Sequence, residues 1–268
     1  MKVFVYGTLL KGMSRSHSLS TSRFEGFGVI RGSLYDLGSY PGIVDFDGSV
    51  YGEIYDIDSS TLVALDHIEG YDIDYPESSL YSRKEVNVTL LNDGSRLRAY
   101  TYFYNASSLD EYHHISSGDY RRYRLNNKPT WYLAYGSNMS IERLTYRVGQ
   151  IEEFTTGYLE GFELVFNKQG DNGSAYANIK YRGAGYRCPF VAYLVTQEQL
   201  EDLDHYEGEP YHYIRLGIPF KTANIEKMQL GHIYIAQPNK LTDDALVDED
   251  YLNKIRQGYH QYGFDADF

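Results

Sequence analysis

A glutamate followed by a glycine occurs twice in the same sequence context, and such a glutamate could carry acid-base chemistry. The first copy is Leu65-Asp66-His67-Ile68-Glu69-Gly70, and the second is Leu203-Asp204-His205-Tyr206-Glu207-Gly208. Each reads as the last turn of an amphipathic helix that ends at a glycine in a left-handed conformation. A carboxylate there faces the negative end of the helix dipole, so we expect its pKa to lie above the usual range, where proton transfer near neutral pH becomes practical.

The two copies belong to a longer duplication. Five residues match at a constant spacing of 138 positions, namely Tyr55, Leu62, Leu65, Asp66 and Glu69 with Tyr193, Leu200, Leu203, Asp204 and Glu207. Each predicted helix also begins at a capping residue: Asp58 precedes the first, and Thr196 with Gln199 has the spacing of a capping box before the second. This pattern indicates a tandem repeat of one domain type.

A strand that ends in a Tyr-Gly loop opens each half. Residues 2–6 and 131–135 are rich in β-branched and aromatic residues, and they lead into Gly7-Thr8-Leu9 and Gly136-Ser137-Asn138. Glycine lets the chain turn without a side chain in the way, so the loop N–H groups could hold a carboxylate or carbonyl oxygen. Taken alone, an ordinary turn explains Tyr-Gly equally well.

The remaining pattern predicts a β-rich fold. Residues 26–36, 40–44 and 50–57 read as short strands punctuated by Gly and Pro, residues 81–90 and 97–104 as a hairpin around Asn92-Asp93-Gly94, and residues 13–22 as a loop or short helix. We place the first domain at 1–125, a polar linker at 126–130 and the second domain at 131–268.

Composition excludes several classes of protein. The net charge is −12, divided as −5 in residues 1–125 and −7 in residues 126–268. Neither half is basic, which argues against binding to nucleic acid or to an anionic membrane. Cys188 is the only cysteine, so internal disulfides are excluded, and we expect a packed thiol. The N-terminus runs straight into a strand, and we expect a soluble, cytoplasmic protein.

In order along the chain, these motifs resemble the γ-glutamylcyclotransferase-like (AIG2-like) family. The first half is similar to the γ-glutamylamine branch through Tyr6-Gly7-Thr8-Leu9, Gly32-x-Leu34-Tyr35-Asp36, Tyr40-Pro41-Gly42, Leu65-Asp66-x-x-Glu69-Gly70 and Leu80-Tyr81-x-Arg83. The second resembles the γ-glutamylcyclotransferase branch through Tyr135-Gly136-Ser137-Asn138-Met139, Gly161-Phe162-x-Leu164-x-Phe166-Asn167, Ala177-Asn178-Ile179 and Leu203-Asp204-x-x-Glu207-Gly208.

The resemblance implies a fold and a reaction. The fold is α+β, with two tandem domains that are each a small mixed β-barrel with flanking helices. In the reaction, the α-amine of a γ-glutamyl group attacks its own γ-carbonyl, expels an amine or amino acid and closes 5-oxoproline, with no cofactor. Glu69 and Glu207 would be the general acid-base residues. The substrate-binding residues would be Tyr6, Gly7, Thr8, Leu9, Tyr81 and Arg83 in the first half and Tyr135, Gly136, Ser137, Asn138, Tyr213 and Arg215 in the second.

One departure from the family pattern concerns the strand before the second helix. The family has a glycine where the first half has Gly52, but the residue 138 positions later is Phe190. We therefore expect Phe190 to narrow or reshape the second cavity.

Other interpretations remain open at this stage. Asp66 and His67 point about 100° apart on a helix, so they cannot converge on one metal ion, and we expect His67 and His205 to face outward or to be capping neighbours. Arg83 and Arg215 could anchor substrate carboxylates or pair with acidic residues. A tandem binding module that has lost activity is the alternative to an enzyme, although retention of both glutamates argues against it. The leaving amine and the oligomeric state are not specified.

Overall fold

The computed structural model describes residues 1–105, 108–126, 128–222, 225–266 and 268, with only the main chain of residues 225 and 226. These residues form two compact units, Met1–Arg124 and Leu125–Phe268. The predicted linker includes Asn127, which lies outside the described residues.

The first unit is built mainly from strands. Its strands are β1 (Lys2–Val5), β2 (Arg23–Asp36), β3 (Pro41–Asp56), β4 (Tyr81–Leu90), β5 (Arg96–Tyr104) and β6 (His113–His114). Its helices are α1 (Ser59–Glu69) and α2 (Tyr120–Leu125), with 3₁₀ turns at Ser16–Leu19 and Pro76–Ser78. Pairing runs β1–β3–β2–β4–β5 and returns from β5 to β1, so these strands close into a barrel. The hydrophobic core of this unit includes Phe4, Ile54 and Leu65, all of which are fully buried.

Close contact between β1 and β3 requires a glycine at position 52. A Cβ added there would lie 2.1 Å from the carbonyl oxygen of Val5 and 2.7 Å from Cζ of Phe4. Since real Cβ atoms do not approach a carbonyl oxygen so closely, any side chain at this position would force the two strands apart.

The second unit repeats the plan with changes. Its strands are β7 (Thr130–Ala134), β8 (Phe154–Glu160), β9 (Phe162–Gln169), β10 (Ala175–Tyr181), β11 (Arg187–Val195), β12 (Tyr213–Thr222) and β13 (Ile225–Ala236). Its helices are α3 (Ile141–Val148), α4 (Gln197–Glu207) and α5 (Glu249–Gln261), with 3₁₀ turns at Ser137–Met139 and Pro238–Lys240. The order β12-β13-β7-β11-β8 forms one sheet, in which β13 and β7 are parallel, and β9 pairs with β10. The predicted α+β class with two tandem domains is confirmed.

Both predicted helix ends are confirmed. Helix α1 ends at Glu69 and α4 at Glu207, and the following Gly70 and Gly208 have φ of 63° and 64°, in the left-handed region. The N-termini also agree with the sequence: Asp58 accepts a hydrogen bond of 2.7 Å from the N–H of Thr61, and the capping box of Thr196 is complete. The chain therefore delivers each glutamate to the end of its helix by ordinary capping chemistry.

The prediction of short strands in the first half was wrong. Residues 23–36 and 41–56 form two long paired strands, with irregularities between Phe24 and Gly26 and between Arg31 and Ser33. The glycines that suggested strand ends instead lie at these bulges and let the long strands curve around the barrel. The predicted hairpin over 81–104 is confirmed. Within the described part of the chain, no helix combines the length and apolar character needed to cross a membrane.

Candidate active site

The first unit holds a cavity of about 60 Å³ where the Tyr-Gly loop meets the end of α1. The loop residues, Glu69 and Tyr81 all line this cavity. The complete lining is Phe4, Val5, Tyr6, Gly7, Thr8, Leu9, Arg15, Tyr40, Pro41, Ile68, Glu69, Leu80, Tyr81 and Tyr102. Since one water needs roughly 10–15 Å³ in this measure, the cavity admits a group of several non-hydrogen atoms.

Glu69 is half-buried in this cavity, with apolar side chains among its neighbours. Leu9, Ile68 and Leu80 line the same cavity, and no described residue donates a hydrogen bond to the Glu69 carboxylate. Burial raises the pKa of Glu69 to about 7, although the positive charge of Arg15 acts in the opposite direction. A carboxyl with this pKa can both accept and donate a proton near neutral pH.

Two tyrosine hydroxyls of this cavity, those of Tyr6 and Tyr81, are committed to the main chain. Tyr6 Oη donates to the carbonyl of Tyr102 at 2.7 Å, and Tyr81 Oη donates to the carbonyl of Pro41 at 2.8 Å. Burial raises the pKa of both phenols well above the usual value, so both stay neutral. Tyr6 and Tyr81 therefore act as fixed walls of the cavity rather than as proton donors.

The loop after Tyr6 offers main-chain donors. No described residue accepts a hydrogen bond from the N–H of Thr8 or of Leu9, although both residues line the cavity. The loop is held by other bonds, from Leu10 N–H to the Gly7 carbonyl and from Arg15 N–H to the Thr8 carbonyl. Preorganised N–H groups of this kind can bind a carboxylate or a developing oxyanion.

The second unit has a smaller cavity at the corresponding place. It measures about 30 Å³ and is lined by Tyr132, Tyr135, Gly136, Ser137, Asn138, Ala177, Glu207, Tyr213, Tyr234 and Tyr251. Its tyrosines repeat the first pattern: Tyr135 Oη donates to the carbonyl of Tyr234 and Tyr213 Oη to the carbonyl of Ala177, both at 2.7 Å. Glu207 and Tyr213 also line an adjoining open cleft of about 570 Å³.

Glu207 has polar partners that Glu69 lacks. Its Oε1 accepts a hydrogen bond of 2.9 Å from the side-chain amide of Asn138 and lies 3.0 Å from Nη1 of Arg147. The same Arg147 nitrogen also donates to the Asn138 amide oxygen at 2.8 Å. The second glutamate is therefore held by an ion pair and a hydrogen bond, whereas Glu69 has neither among the described residues.

Arg83 and Arg215 do not line either cavity. Arg83 pairs with Asp66, and Arg215 Nη2 lies 2.8 Å from Asp204 Oδ2. The two aspartates also accept hydrogen bonds from tyrosines, Asp66 from Tyr102 at 2.8 Å and Asp204 from Tyr234 at 2.7 Å. These pairs lie one turn before the glutamates and fix each helix against the sheet. Of the two roles left open by the sequence, the geometry favours pairing with an acidic residue.

Phe190 does not shape the second cavity, so that expectation was wrong. Phe190 is fully buried, its ring centroid lies 5.7 Å from that of Phe220, and it packs against Gly157 on β8. It is not among the residues that line either the small cavity or the cleft. The glycine of the first unit is thus replaced by an aromatic side chain that fills the core, with Gly157 providing the space.

Sequence reasoning missed several residues of the two sites. Arg15 and Tyr40 join the first cavity, whereas Arg147 on α3 and Tyr251 on α5 join the second. These four residues reach the two sites only through long-range packing of the chain. The other half of the sequence has no equivalent residues at the repeat spacing. The amphipathic pattern of α3, with Arg143 and Arg147 one turn apart, was the available signal for a cationic face. The expectation for His67 and His205 is confirmed, since both are exposed, and Cys188 is buried as predicted.

This geometry occurs in both segments that match one family model. The model, described as "Gamma-glutamyl cyclotransferase, AIG2-like", matches residues 3–122 and 132–253. Because these segments make up most of the sequence, the chain belongs to the AIG2-like gamma-glutamyl cyclotransferase family. The resemblance seen in the motifs is thereby confirmed.

Individual relatives agree with this assignment. The chain is 28% identical to YkqA of Bacillus subtilis (strain 168) over 221 residues, which are 76% of this chain and 75% of YkqA. It is 43% identical over 67 residues to the "Gamma-glutamylcyclotransferase family protein YtfP" of Escherichia coli (strain K12), covering 25% of this chain and 59% of YtfP. The crystal structure of YkqA has a TM-score of 0.74 at 23% identity and covers 97% of this chain and 91% of YkqA, which shows a shared fold.

Proposed function

We propose that the chain is a γ-glutamylcyclotransferase that releases 5-oxoproline from γ-glutamyl amines or γ-glutamyl amino acids. In this reaction the α-amine nitrogen of the γ-glutamyl group bonds to its own γ-carbonyl carbon. The bond from that carbon to the leaving nitrogen then breaks, and the leaving group departs as a free amine or amino acid. The attack is intramolecular, so holding the two reacting atoms together provides much of the rate.

The observation that carries the proposal is the Glu69 carboxyl, desolvated in the cavity beside the Tyr-Gly loop, with its pKa raised to about 7. The substrate α-amine is protonated below a pKa of about 8. Glu69 would accept this ammonium proton and later give a proton to the leaving nitrogen. A carboxyl whose pKa lies near the working pH is suited to both steps.

The loop would supply the electrostatic part of the site. The N–H groups of Thr8 and Leu9 are free to bind the oxyanion that forms on the γ-carbonyl or the α-carboxylate of the substrate. The phenol rings of Tyr6 and Tyr81 would orient the glutamyl chain between them. Arg15 would add a positive charge on the same side as Glu69.

In the second unit, Glu207 would take the same role with a different electrostatic setting. Its carboxylate lies in a matching position but is held by Arg147 and Asn138. A carboxylate with these partners already has part of its hydrogen-bonding capacity occupied before a ligand binds. We therefore propose that the two units differ in rate, with the first unit providing most of the turnover near neutral pH.

The test is 5-oxoproline release from a panel of γ-glutamyl amino acids and γ-glutamyl amines. Wild type is compared with Glu69→Gln, Glu207→Gln and the double variant, and Glu201→Gln on the exposed face of α4 serves as the control. Loss of most of the turnover in Glu69→Gln and of about 100-fold or more in the double variant, with the fold intact, supports the proposal. Absence of product from every substrate with folded wild type would overturn it in favour of a tandem binding module.

A further inference from the structure

A buried lysine without an acidic partner lies in the cleft of the second unit. Lys168 on β9 is 6% exposed, and its Nζ lies 5.2 Å and 5.3 Å from the ring centroids of Tyr176 and Tyr213. Among the described residues, none forms a hydrogen bond or an ion pair with this ammonium. Burial lowers the pKa of Lys168, and contacts with aromatic faces replace only part of the lost hydration.

The same cleft contains other buried nitrogen atoms without hydrogen-bond partners. The Nε of Arg143 on α3 is buried and makes no hydrogen bond, and no described residue pairs with its guanidinium. Burial and the neighbouring Arg147 both lower the pKa of Arg143. His212 Nδ1 is likewise buried without a partner, while its Nε2 lies 3.4 Å from Asp171 Oδ2.

The charges of the cleft do not balance. Arg147 is neutralised by Glu207, and the Asp171 side chain, at 82% exposed, lies at the outer edge near His212 and Lys240. Lys168 and Arg143 remain as two positive charges in the interior of the cleft. Such an excess is unexpected in a chain of net charge −12, because buried cations are normally paired.

We propose that this cleft binds an acidic group of a small molecule, a carboxylate or a phosphate, between Lys168 and Arg143. A cleft of about 570 Å³ is of the size that holds small-molecule ligands. The acidic group would satisfy the orphaned donors and place the rest of the ligand beside Glu207. Where the ligand is a substrate, this assignment rests on the proposed function. The second unit would then select γ-glutamyl compounds whose leaving portion carries an acidic group.

Binding of unreactive anions tests the site without any turnover. Glutarate and inorganic phosphate are titrated into the full chain at constant ionic strength, with calorimetry and the melting temperature as readouts. The variants are Lys168→Met and Arg143→Met, and Lys254→Met on the exposed face of α5 is the matched control. We expect binding by wild type and by the control, with affinity at least tenfold weaker in Lys168→Met and at least fivefold weaker in Arg143→Met.

The ligand-free stability provides a second readout. Methionine fits between aromatic rings and removes an unpaired buried charge, so we expect Lys168→Met to melt no lower than wild type without anions. If this variant fails to fold, Arg143→Met decides.

The preferred anion identifies the acidic group as a carboxylate or a phosphate. The proposal is overturned if neither anion binds wild type, or if the folded variants bind as tightly as wild type. A failure of 5-oxoproline release alone would count against the proposed function and leave the anion site standing.

Discussion

The side-chain amide of Asn138 lies 2.9 Å from the carboxylate of Glu207. At the repeat spacing of the Tyr-Gly loops, the residue of the first unit that corresponds to Asn138 is Leu9, which lines the cavity of Glu69 without offering a side-chain donor. This substitution in a duplicated loop, together with Arg147, therefore gives Glu207 polar partners that the desolvated Glu69 lacks.

This relationship predicts that Leu9→Asn changes the pH dependence of the first unit. An amide donor beside the Glu69 carboxylate stabilises its charged form and lowers its pKa below about 7. In a Glu207→Gln background, the acidic limb of the pH profile of kcat/KM should therefore move to lower pH. Leu9→Met, which keeps the volume and adds no donor, should leave the limb in place. A limb that stays at the wild-type pH in Leu9→Asn would contradict the assignment of Glu69 as the base.

Glu69 also couples stability to pH. Its folded-state pKa of about 7 lies above the value of 4.5 for an ordinary glutamate. The group therefore stabilises the fold fully below about pH 4.5, and this contribution is lost as the pH rises through about 7. We compare the free energy of unfolding of Glu69→Gln with that of wild type at each pH. As the pH rises from 4 to 8, this difference should change by on the order of 3 kcal/mol in favour of the variant.

Chemical denaturation at several pH values measures this gain. Val63→Gln, on the exposed face of the same helix, removes no ionisable group and should differ from wild type by an amount that does not depend on pH. A constant difference for Glu69→Gln as well would show that its carboxyl is not desolvated.

The pair of Arg215 and Asp204 is predicted to be structural. The side chains are only 6% and 17% exposed, so Arg215→Met removes the positive partner of a largely buried carboxylate that also accepts a hydrogen bond from Tyr234. We expect a loss of about 3 kcal/mol in the free energy of unfolding, with part of it recovered in the double variant Asp204→Asn and Arg215→Met. An anchor for the substrate would behave differently: Arg215→Met would then raise KM and leave the stability unchanged.

The glycines that end the two helices should differ in their tolerance of alanine. At Gly70 an added Cβ meets Leu80 at 3.4 Å, an ordinary contact, so Gly70→Ala should cost about 1–2 kcal/mol for the left-handed conformation alone. At Gly208 the Cβ would lie 2.9 Å from the His212 ring, and the cost should be larger. Denaturation of the two single variants compares these costs. Equal losses would show that His212 moves aside.

The parts of the site that could be predicted from the sequence are those set by local rules. The ends of α1 and α4, their caps and the loops after Tyr6 and Tyr135 each depend on a few neighbouring residues, and the repeat spacing relates one copy to the other. The lengths of β2 and β3 could not be predicted, because a glycine in a bulge and a glycine at a strand end look alike in the sequence.

Ion pairs between residues on different secondary-structure elements could not be predicted from the sequence either. Arg147 reaches Glu207 from α3, and Arg121 on α2 pairs with Glu53 on β3 at 2.7 Å in the core of the first unit. Such pairs depend on how a helix packs against a sheet, and no local pattern specifies it. For the same reason, the sequence did not reveal that Lys168 points into the cleft.

The covalent duplication has a consequence for the cell. Because both sites are translated as one polypeptide, they are always produced in equal numbers, whatever the level of expression. Separate genes would need matched promoters and matched turnover to keep that ratio. If the two units prefer different γ-glutamyl compounds, the cell cannot raise its capacity for one without raising its capacity for the other. The ratio of the two activities would then change through substitutions within each half of the gene.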